Sequence, residues 1–198
     1  MDFQSVLDDI DSRLRPLLGD EGKVANYIPA LARVPANQFG MALRTCDGQE
    51  FTVGDARTGF SIQSISKLFS LTLVMRRMGE ELWERIGREP SGNPFNSLVQ
   101  LEREEGVPRN PFINAGAIAV ADRLVTYGDA RQDLLEMISG LCEEDVVVDA
   151  EIAQSEADNG YRNLALANFM KSFGKLDNEV NQLLGVYFSQ CAIRMNCL

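Results

Sequence analysis

The stretch "FGMALRTCDGQEFTVGDARTGFSIQSISKLFS", residues 39–70, joins two patterns that decide the fold. Its first half holds two β-favouring runs on either side of Asp47-Gly48, a dipeptide typical of a two-residue hairpin turn. Its second half begins an apolar run with helical spacing that closes at Gly79. The stretch therefore predicts an antiparallel hairpin followed by a helix that starts at about residue 61.

The rest of the chain is predicted to be helix and loop. Apolar residues recur at helical spacing over residues 2–18, where Pro16 should end or kink the helix. Beyond residue 79, we expect helices over 80–87, 114–128, 130–142, 159–174 and 178–195. The fold class is therefore α+β, with residues 1–60 forming a helix and hairpin and residues 61–198 forming a helical lobe. Because a lone hairpin is a poor sheet, we expect the chain to be incomplete or its sheet to be finished by another segment.

Composition excludes several classes of partner. The net charge of −10 repels phosphate backbones and anionic lipid, so we expect neither a nucleic acid nor a membrane as partner. Residues 1–20 carry acids throughout and lack the apolar core of a signal peptide, and the chain has no run of 18 apolar residues. The four cysteines are scattered and form no C-x-x-C pair. We therefore expect a cytoplasmic protein with reduced thiols.

The chain contains no histidine. This absence removes Ser-His-Asp and Cys-His mechanisms and every His-ligated metal site. No metal or cofactor is predicted. Any acid–base chemistry near neutral pH must use Lys, Tyr, Asp or Glu with a shifted pKa.

Ser64 and Lys67 form an S-x-x-K pattern at the start of the predicted helix. Residues three apart lie on one helical face, so the amine of Lys67 can face the hydroxyl of Ser64. A helix N-terminus offers N–H groups to an oxyanion and lowers the pKa of a nearby lysine. The pattern thus fits a serine acyl-transfer enzyme. Taken alone, the pattern is weak and far more often marks a helix cap followed by a surface lysine. Ser66 is a third candidate for a functional serine, and it also fits a polar residue on the helix face.

Six segments, taken in order, resemble the signature segments of the bacterial-type glutaminases, and together they cover nearly the whole chain. They are "NYIPALA" (26–32), "FSIQSISKLF" (60–69), "EPSGNPFNSL" (89–98), "NPFINAGAI" (110–118), "SEADNGYRN" (155–163) and "YFSQCAI" (187–193). The hairpin before an S-x-x-K helix likewise resembles the serine β-lactamase and penicillin-binding-protein fold. The resemblance implies that fold and hydrolysis of the side-chain amide of L-glutamine.

The resemblance also implies roles for individual residues. Ser64 would be the nucleophile that forms an acyl-enzyme, Lys67 its base, and Tyr27 an active-site tyrosine near the nucleophile. The head group of the amino acid would be bound by residues at matching positions: Gln63, Ser64, Asn114, Glu156, Asn163 and Tyr187. A carboxylate is a natural partner for the α-ammonium, and amide and phenol groups can donate to the α-carboxylate. The family forms dimers or tetramers, so the resemblance implies a homodimer or homotetramer.

Each assignment has a competing interpretation. Asn114 also fits the N-cap of its helix, Glu156 a solvated acid, and Tyr187 a core aromatic. The family continues beyond this chain's length with further strands, a second catalytic tyrosine and the second oxyanion-hole amide. A missing oxyanion donor costs about 10²–10³ in rate, so the chain alone is expected to be slow or inactive. One rival function is a penicillin-binding or β-lactamase-like acylase, and Phe112 disfavours it because it stands where the serine of S-x-N belongs. The other rival is an inactive helical binding module.

Overall fold

The computed structural model describes residues 1–142 and 144–198. The chain divides into two compact units, one formed by Met1–Phe60 with Arg194–Leu198 and the other by Ser61–Ile193. The predicted α+β class, with a small antiparallel β part and a larger helical part, is confirmed. Within the residues described, no helix has both the length and the apolar character needed to cross a membrane.

The first unit contains two helices and a hairpin. Helix α1 spans Phe3–Leu14 and is followed by a 3₁₀ turn, Arg15–Leu17; helix α2 spans Pro29–Ala32, and strands β1 and β2 span Gly40–Arg44 and Glu50–Gly54. The carboxylate of Asp2 caps α1 by accepting a hydrogen bond from the backbone N–H of Ser5 at 3.2 Å. Pro16 lies in the 3₁₀ turn, as expected of a residue that cannot continue the α-helical hydrogen bonds.

The structure contains the predicted hairpin, but the turn of the hairpin differs from the prediction. Gly40 pairs with Gly54 and Arg44 with Glu50 in an antiparallel register. Thr45 then donates its backbone N–H to Gln49 O at 2.9 Å, which leaves a three-residue loop instead of a two-residue one. Gly48 has φ of +87°, the left-handed conformation that such loops require and that glycine adopts without strain.

Helix α1 packs on strand β2 of the hairpin. Leu7 on α1 is buried, and the rings of Phe3 on α1 and Phe51 on β2 are 5.7 Å apart. The side chain of Gln4 donates to Thr52 O at 3.0 Å, which satisfies a backbone acceptor of the strand. The apolar side of the helix that was predicted over residues 2–18 therefore faces the hairpin.

The second unit is mainly helical. Its α-helices are α3 (Ser66–Met78), α4 (Leu98–Arg103), α5 (Asn114–Thr126), α6 (Ala130–Ser139), α7 (Ala150–Asn159), α8 (Tyr161–Ser172) and α9 (Val180–Cys191). Three short strands, β3 (Phe60–Ser61), β4 (Val147–Val148) and β5 (Ile193–Met195), pair in the order β3-β5-β4.

Several predicted elements were wrong in detail. The helix expected from residue 61 begins at Ser66, because β3 and a 3₁₀ turn occupy the residues before it. The helix expected over residues 80–87 is a 3₁₀ helix, Gly79–Glu84, and residues 85–87 lie outside it. The last helix ends at Cys191, and the residues after it form β5, so the prediction of only two strands was wrong. These strands are two or three residues long, which is too short for a period-2 pattern to be visible.

Helix α5 lies at the centre of the second unit. It packs against α3, α8 and α9, and its residues from Asn114 to Leu124 are all buried. Its small residues allow close approach: a Cβ at Gly116 would lie 1.9 Å from the carbonyl oxygen of Asn110. Only glycine fits at position 116 without a shift of the preceding loop.

A buried carboxylate ties α5 to the loop before α9. Asp122 is fully buried and accepts hydrogen bonds from Asn178 N at 2.8 Å and Asp177 N at 3.1 Å. Arg123, itself buried, pairs with Asp122 and with Asp177. The charge of Asp122 is thus matched by one guanidinium and by backbone donors, which is what a buried carboxylate requires.

We expect Asp122→Asn to destabilise the second unit by about 3–5 kcal/mol, because the change removes the anion that the buried backbone donors face and leaves Arg123 with only Asp177 as its ion-pair partner. Urea unfolding followed by the fluorescence of Trp83, the only tryptophan in the chain, measures this change. Asp158→Asn is the matched control, because Asp158 is exposed and only accepts a hydrogen bond from Gln154. It should change the free energy of unfolding by at most about 0.5 kcal/mol. Equal effects of the two substitutions would contradict the role given to Asp122.

Candidate active site

Ser64 lies in a 3₁₀ turn, Gln63–Ile65, immediately before α3, and its side chain is exposed. The residue before it, Gln63, has φ of +47°, a conformation that non-glycine residues rarely adopt and that clusters at functional sites. Two hydrogen bonds hold this turn: Ser66 Oγ donates to Gln63 O at 2.6 Å, and Gln63 Nε2 donates to Ser61 Oγ at 3.1 Å. Ser64 is therefore presented on a sharp, hydrogen-bonded bend.

Lys67 lies in the first turn of α3, and only 3% of it is exposed. Its Nζ donates to Phe112 O at 3.0 Å and to Asn114 Oδ1 at 2.9 Å. Both acceptors are neutral, and within residues 1–142 and 144–198 no carboxylate forms an ion pair with Lys67. The interpretation of Lys67 as a surface lysine was wrong.

Burial lowers the pKa of Lys67 below the ordinary lysine value, and the nearby Cys191 acts in the opposite direction. Burial raises the pKa of Cys191 to about 12, and the neighbouring Glu156 acts in the same direction. At neutral pH, Cys191 is therefore an uncharged thiol and contributes no anion that would keep Lys67 protonated.

Asn114 connects Lys67 to a second asparagine. Its Oδ1 accepts from Lys67, and its Nδ2 donates to Asn163 Oδ1 at 3.0 Å. Asn114 is the first residue of α5, and the N-cap is Ile113, so the interpretation of Asn114 as the helix cap was wrong. Its amide faces other helices instead of its own backbone.

Glu156 lies on α7 and only 6% of it is exposed, so the interpretation as a solvated acid was wrong. Burial raises its pKa, and a hydrogen bond from the side chain of Gln63 opposes that rise. The buried carboxylate is therefore linked directly to the residue that precedes Ser64. A buried carboxylate with one neutral partner is well suited to a cationic ligand.

The two candidate tyrosines, Tyr27 and Tyr187, differ from each other in their exposure to solvent. Tyr27 lies in the first unit, where 71% of it is exposed, and its assignment to the active site stays a prediction. Tyr187 lies on α9 within the hydrophobic core, with 3% of it exposed and its ring 5.7 Å from that of Phe188. The core packing of Tyr187 matches the competing interpretation, and its contact with a substrate also stays a prediction.

Ser66, the third candidate for a functional serine, is 1% exposed and hydrogen-bonded, so its hydroxyl is not available as a nucleophile. The structure also adds residues that sequence reasoning did not single out. Cys191 lies beside Ser66 and Lys67, and the carbonyl of Phe112 holds the lysine. Asn110, in the segment "NPFINAGAI", shapes the loop that carries Phe112. An Asn-Pro dipeptide does signal a turn, but not what the turn contacts.

The arrangement combines an exposed hydroxyl, a buried amine with a lowered pKa and a buried carboxylate. Such a set can activate a serine and bind a cationic group. Among the described residues, no group of three or more Cys, Asp and Glu side chains could hold a metal ion.

Comparisons with known proteins agree on one family. Residues 22–198 match the protein family described as Glutaminase. The chain is 55% identical over 200 residues to a glutaminase of Rhizobium rhizogenes, a match that covers 99% of this chain and 64% of that protein. The chain therefore spans less than two thirds of the length of this relative.

Solved structures share the fold. A Bacillus glutaminase crystallised in concentrated NaCl is 30% identical, with a TM-score of 0.86 over 98% of this chain and 62% of that one. A probable glutaminase of Bacillus subtilis, complexed with 6-diazo-5-oxo-L-norleucine, is 31% identical with a TM-score of 0.83, over 98% of this chain and 59% of that one. The fold is thus the β-lactamase-like fold of the glutaminases, as the hairpin and the S-x-x-K helix predicted.

Proposed function

The chain belongs to the glutaminase family, and from that membership we propose that its protein hydrolyses the side-chain amide of L-glutamine to L-glutamate and ammonia. The observation that carries the proposal is the position of exposed Ser64 three residues before buried Lys67, whose pKa is lowered. A lysine with only neutral hydrogen-bond partners, one turn from a serine, is what a histidine-free serine enzyme requires. The relatives' names supply the substrate.

In the proposed reaction, Ser64 Oγ attacks the amide carbon of glutamine while its proton passes to Lys67 Nζ. Lys67 then returns the proton to the departing nitrogen, so the C–N bond breaks and ammonia leaves. Water attacks the resulting ester, Lys67 takes one of its protons, and Ser64 leaves with a proton as glutamate forms. Tyr27 is proposed to assist near the nucleophile, and no cofactor is needed.

The α-ammonium of glutamine is proposed to bind Glu156, whose buried carboxylate has one neutral partner among the side chains, Gln63. Asn163, half-buried and bonded to Asn114, is proposed to donate to the α-carboxylate together with Tyr187. Gln63 lies between Glu156 and Ser64, so we propose that it orients the head group relative to the nucleophile.

We test the activity in two proteins. One is the 198-residue chain, and the other, called the completed chain, adds after Leu198 the further C-terminal residues that the family resemblance implies, taken from the glutaminase of Rhizobium rhizogenes. We expect the completed chain to release glutamate and ammonia from L-glutamine and the shorter chain to be slow or inactive. Absence of hydrolysis and of labelling by 6-diazo-5-oxo-L-norleucine in a folded completed chain would leave the inactive binding module as the better proposal.

Glu156→Gln in the completed chain should raise KM for glutamine by about 10- to 100-fold, because a charge-assisted hydrogen bond worth about 1.5–3 kcal/mol is lost. Steady-state kinetics measure this effect, and Asp158→Asn, an exposed acid on the same helix, is the control that should leave KM unchanged. Thermal unfolding shows whether the variant is folded. Unchanged KM in folded Glu156→Gln would rule out Glu156 as the site of the α-ammonium.

Two further features are proposed for the whole protein. We propose a homodimer or homotetramer, in line with the family resemblance, and light scattering of the completed chain tests it. We also propose a cytoplasmic location, which the free cysteines and the acidic composition support.

A further inference from the structure

We infer that Asn110 is a positioning residue for the base of the proposed reaction, and that it acts through the backbone carbonyl of Phe112, which orients the amine of Lys67. The inference rests on the proposed function. The loop before α5 then fixes the direction in which the lone pair of Lys67 Nζ points.

The hydrogen bonds of Lys67 match the needs of a neutral amine. A neutral lysine amine has two N–H groups and one lone pair, whereas an ammonium has three N–H groups. Lys67 Nζ has two acceptors, Phe112 O at 3.0 Å and Asn114 Oδ1 at 2.9 Å. In the described part of the chain, Nζ has no further hydrogen bond or ion pair. Two acceptors occupy both N–H groups, so they determine where the lone pair points.

One of these acceptors is a backbone atom, and its position is set by Asn110. The Asn110 Oδ1 accepts from Phe112 N at 3.0 Å and from Ile113 N at 3.1 Å, which is an Asx turn. Its Nδ2 donates to Glu89 O at 2.9 Å, which joins the turn to the neighbouring loop.

The loop is also held from the helix that follows it. The carbonyl of Asn110 lies against Gly116, where a Cβ would be 1.9 Å away, and Asn114 N donates to Phe95 O at 2.8 Å. These other contacts of the loop are made by backbone atoms and Gly116, so the side chain of Asn110 is the part that a substitution can remove.

The titratable groups near Lys67 do not provide an alternative orienting partner. Cys191 on α9 faces Lys67 but stays a neutral thiol, because burial and Glu156 raise its pKa to about 12. Glu156 on α7 acts on Cys191 and hydrogen-bonds Gln63, and it does not contribute to the lowered pKa of Lys67. The two neutral oxygens are thus the groups that orient the amine.

The test is a double-mutant cycle on the rate of Ser64 labelling by 6-diazo-5-oxo-L-norleucine in the completed chain, measured on the alkaline plateau. Asn110→Ala should slow labelling by about 10²-fold, the cost of misplacing a reacting group by about 1 Å. In a Lys67→Ala background, the same substitution should have no further effect on the residual rate, because its effect passes through the amine. Asn110→Asp, which keeps the Oδ1 acceptor for the N–H groups of Phe112 and Ile113, should restore most of the rate.

Asn93→Ala is the matched control, because Asn93 also bonds to a loop carbonyl, Ser91 O at 3.3 Å, and has no contact with Lys67. It should leave the labelling rate unchanged. An equal slowing by Asn110→Ala with and without Lys67 would overturn the inference and indicate a structural role, as would failure of Asn110→Asp to restore the rate. The proposed function is tested separately, because it fails only if the unsubstituted completed chain neither labels nor hydrolyses glutamine.

Discussion

Ser64→Ala is expected to lower glutamine turnover by the completed chain by on the order of 10⁴- to 10⁶-fold, the range found when a nucleophilic unit is broken. The physical reason is that no other hydroxyl can replace Ser64. Ser66, two residues on, is 1% exposed and donates to Gln63 O. Glutamine should still bind, because the residues proposed to hold its head group, chiefly Glu156 and Asn163, are unchanged. Steady-state kinetics measure the loss, and isothermal titration calorimetry measures the binding.

Thr72→Ala is the control for Ser64→Ala, since Thr72 is an exposed residue of α3 whose hydroxyl donates to Leu68 O within the same helix. It should keep nearly full turnover. Peptide mass spectrometry after labelling with 6-diazo-5-oxo-L-norleucine locates the nucleophile directly. An adduct on Ser66, on Tyr27 or on a cysteine would overturn the assignment of Ser64.

Lys67→Ala and Lys67→Arg are both expected to be inactive, with turnover lowered by on the order of 10⁴-fold or more. Alanine removes the base, and arginine keeps the positive charge but stays protonated at any pH at which the protein is folded. A partial rescue by arginine would show that Lys67 acts only through its charge. Turnover and the labelling rate measure both variants.

The pH dependence of the unsubstituted protein provides a second measurement of Lys67. Burial lowers the pKa of Lys67, and only its neutral form can accept the proton of Ser64. The labelling rate should therefore rise with pH through that lowered pKa, which lies below the ordinary lysine value of about 10.4, and then level off. In folded Lys67→Ala this rise should disappear. A rise at the same pH in that variant would assign the titration to another group.

Much of the fold was predictable because its signals are local. The apolar stripe of residues 2–18 and the β-favouring runs around Asp47-Gly48 are readable within a few residues. The S-x-x-K pattern and the six family-like segments likewise lie in contiguous stretches. The turn was wrong by one residue, because a three-residue loop with Gly48 in the left-handed conformation uses the same Asp-Gly signal.

The start of α3 shows where local sequence patterns are no longer sufficient to predict the structure. The apolar spacing runs without a break from residue 61, so it predicts one helix. The structure instead has β3 up to Ser61, a bend at Gln63 with φ of +47°, and α3 from Ser66. The backbone N–H of Ile62 donates to Ile193 O at 2.9 Å, and this partner 131 positions away is invisible to a local pattern.

Local sequence thus determined the helices, the hairpin and the residue types that match the glutaminase family, because spacing, turn residues and motif order lie along the chain. Only the tertiary structure decided that Lys67 is buried between Phe112 O and Asn114, that Glu156 contacts Gln63, and that Tyr187 lies in the core. Burial and pKa depend on which distant segments enclose a side chain, and no residue's neighbours in sequence specify those segments. The chemistry of Lys67 depends on that enclosure, because the same lysine exposed to water would stay protonated at neutral pH.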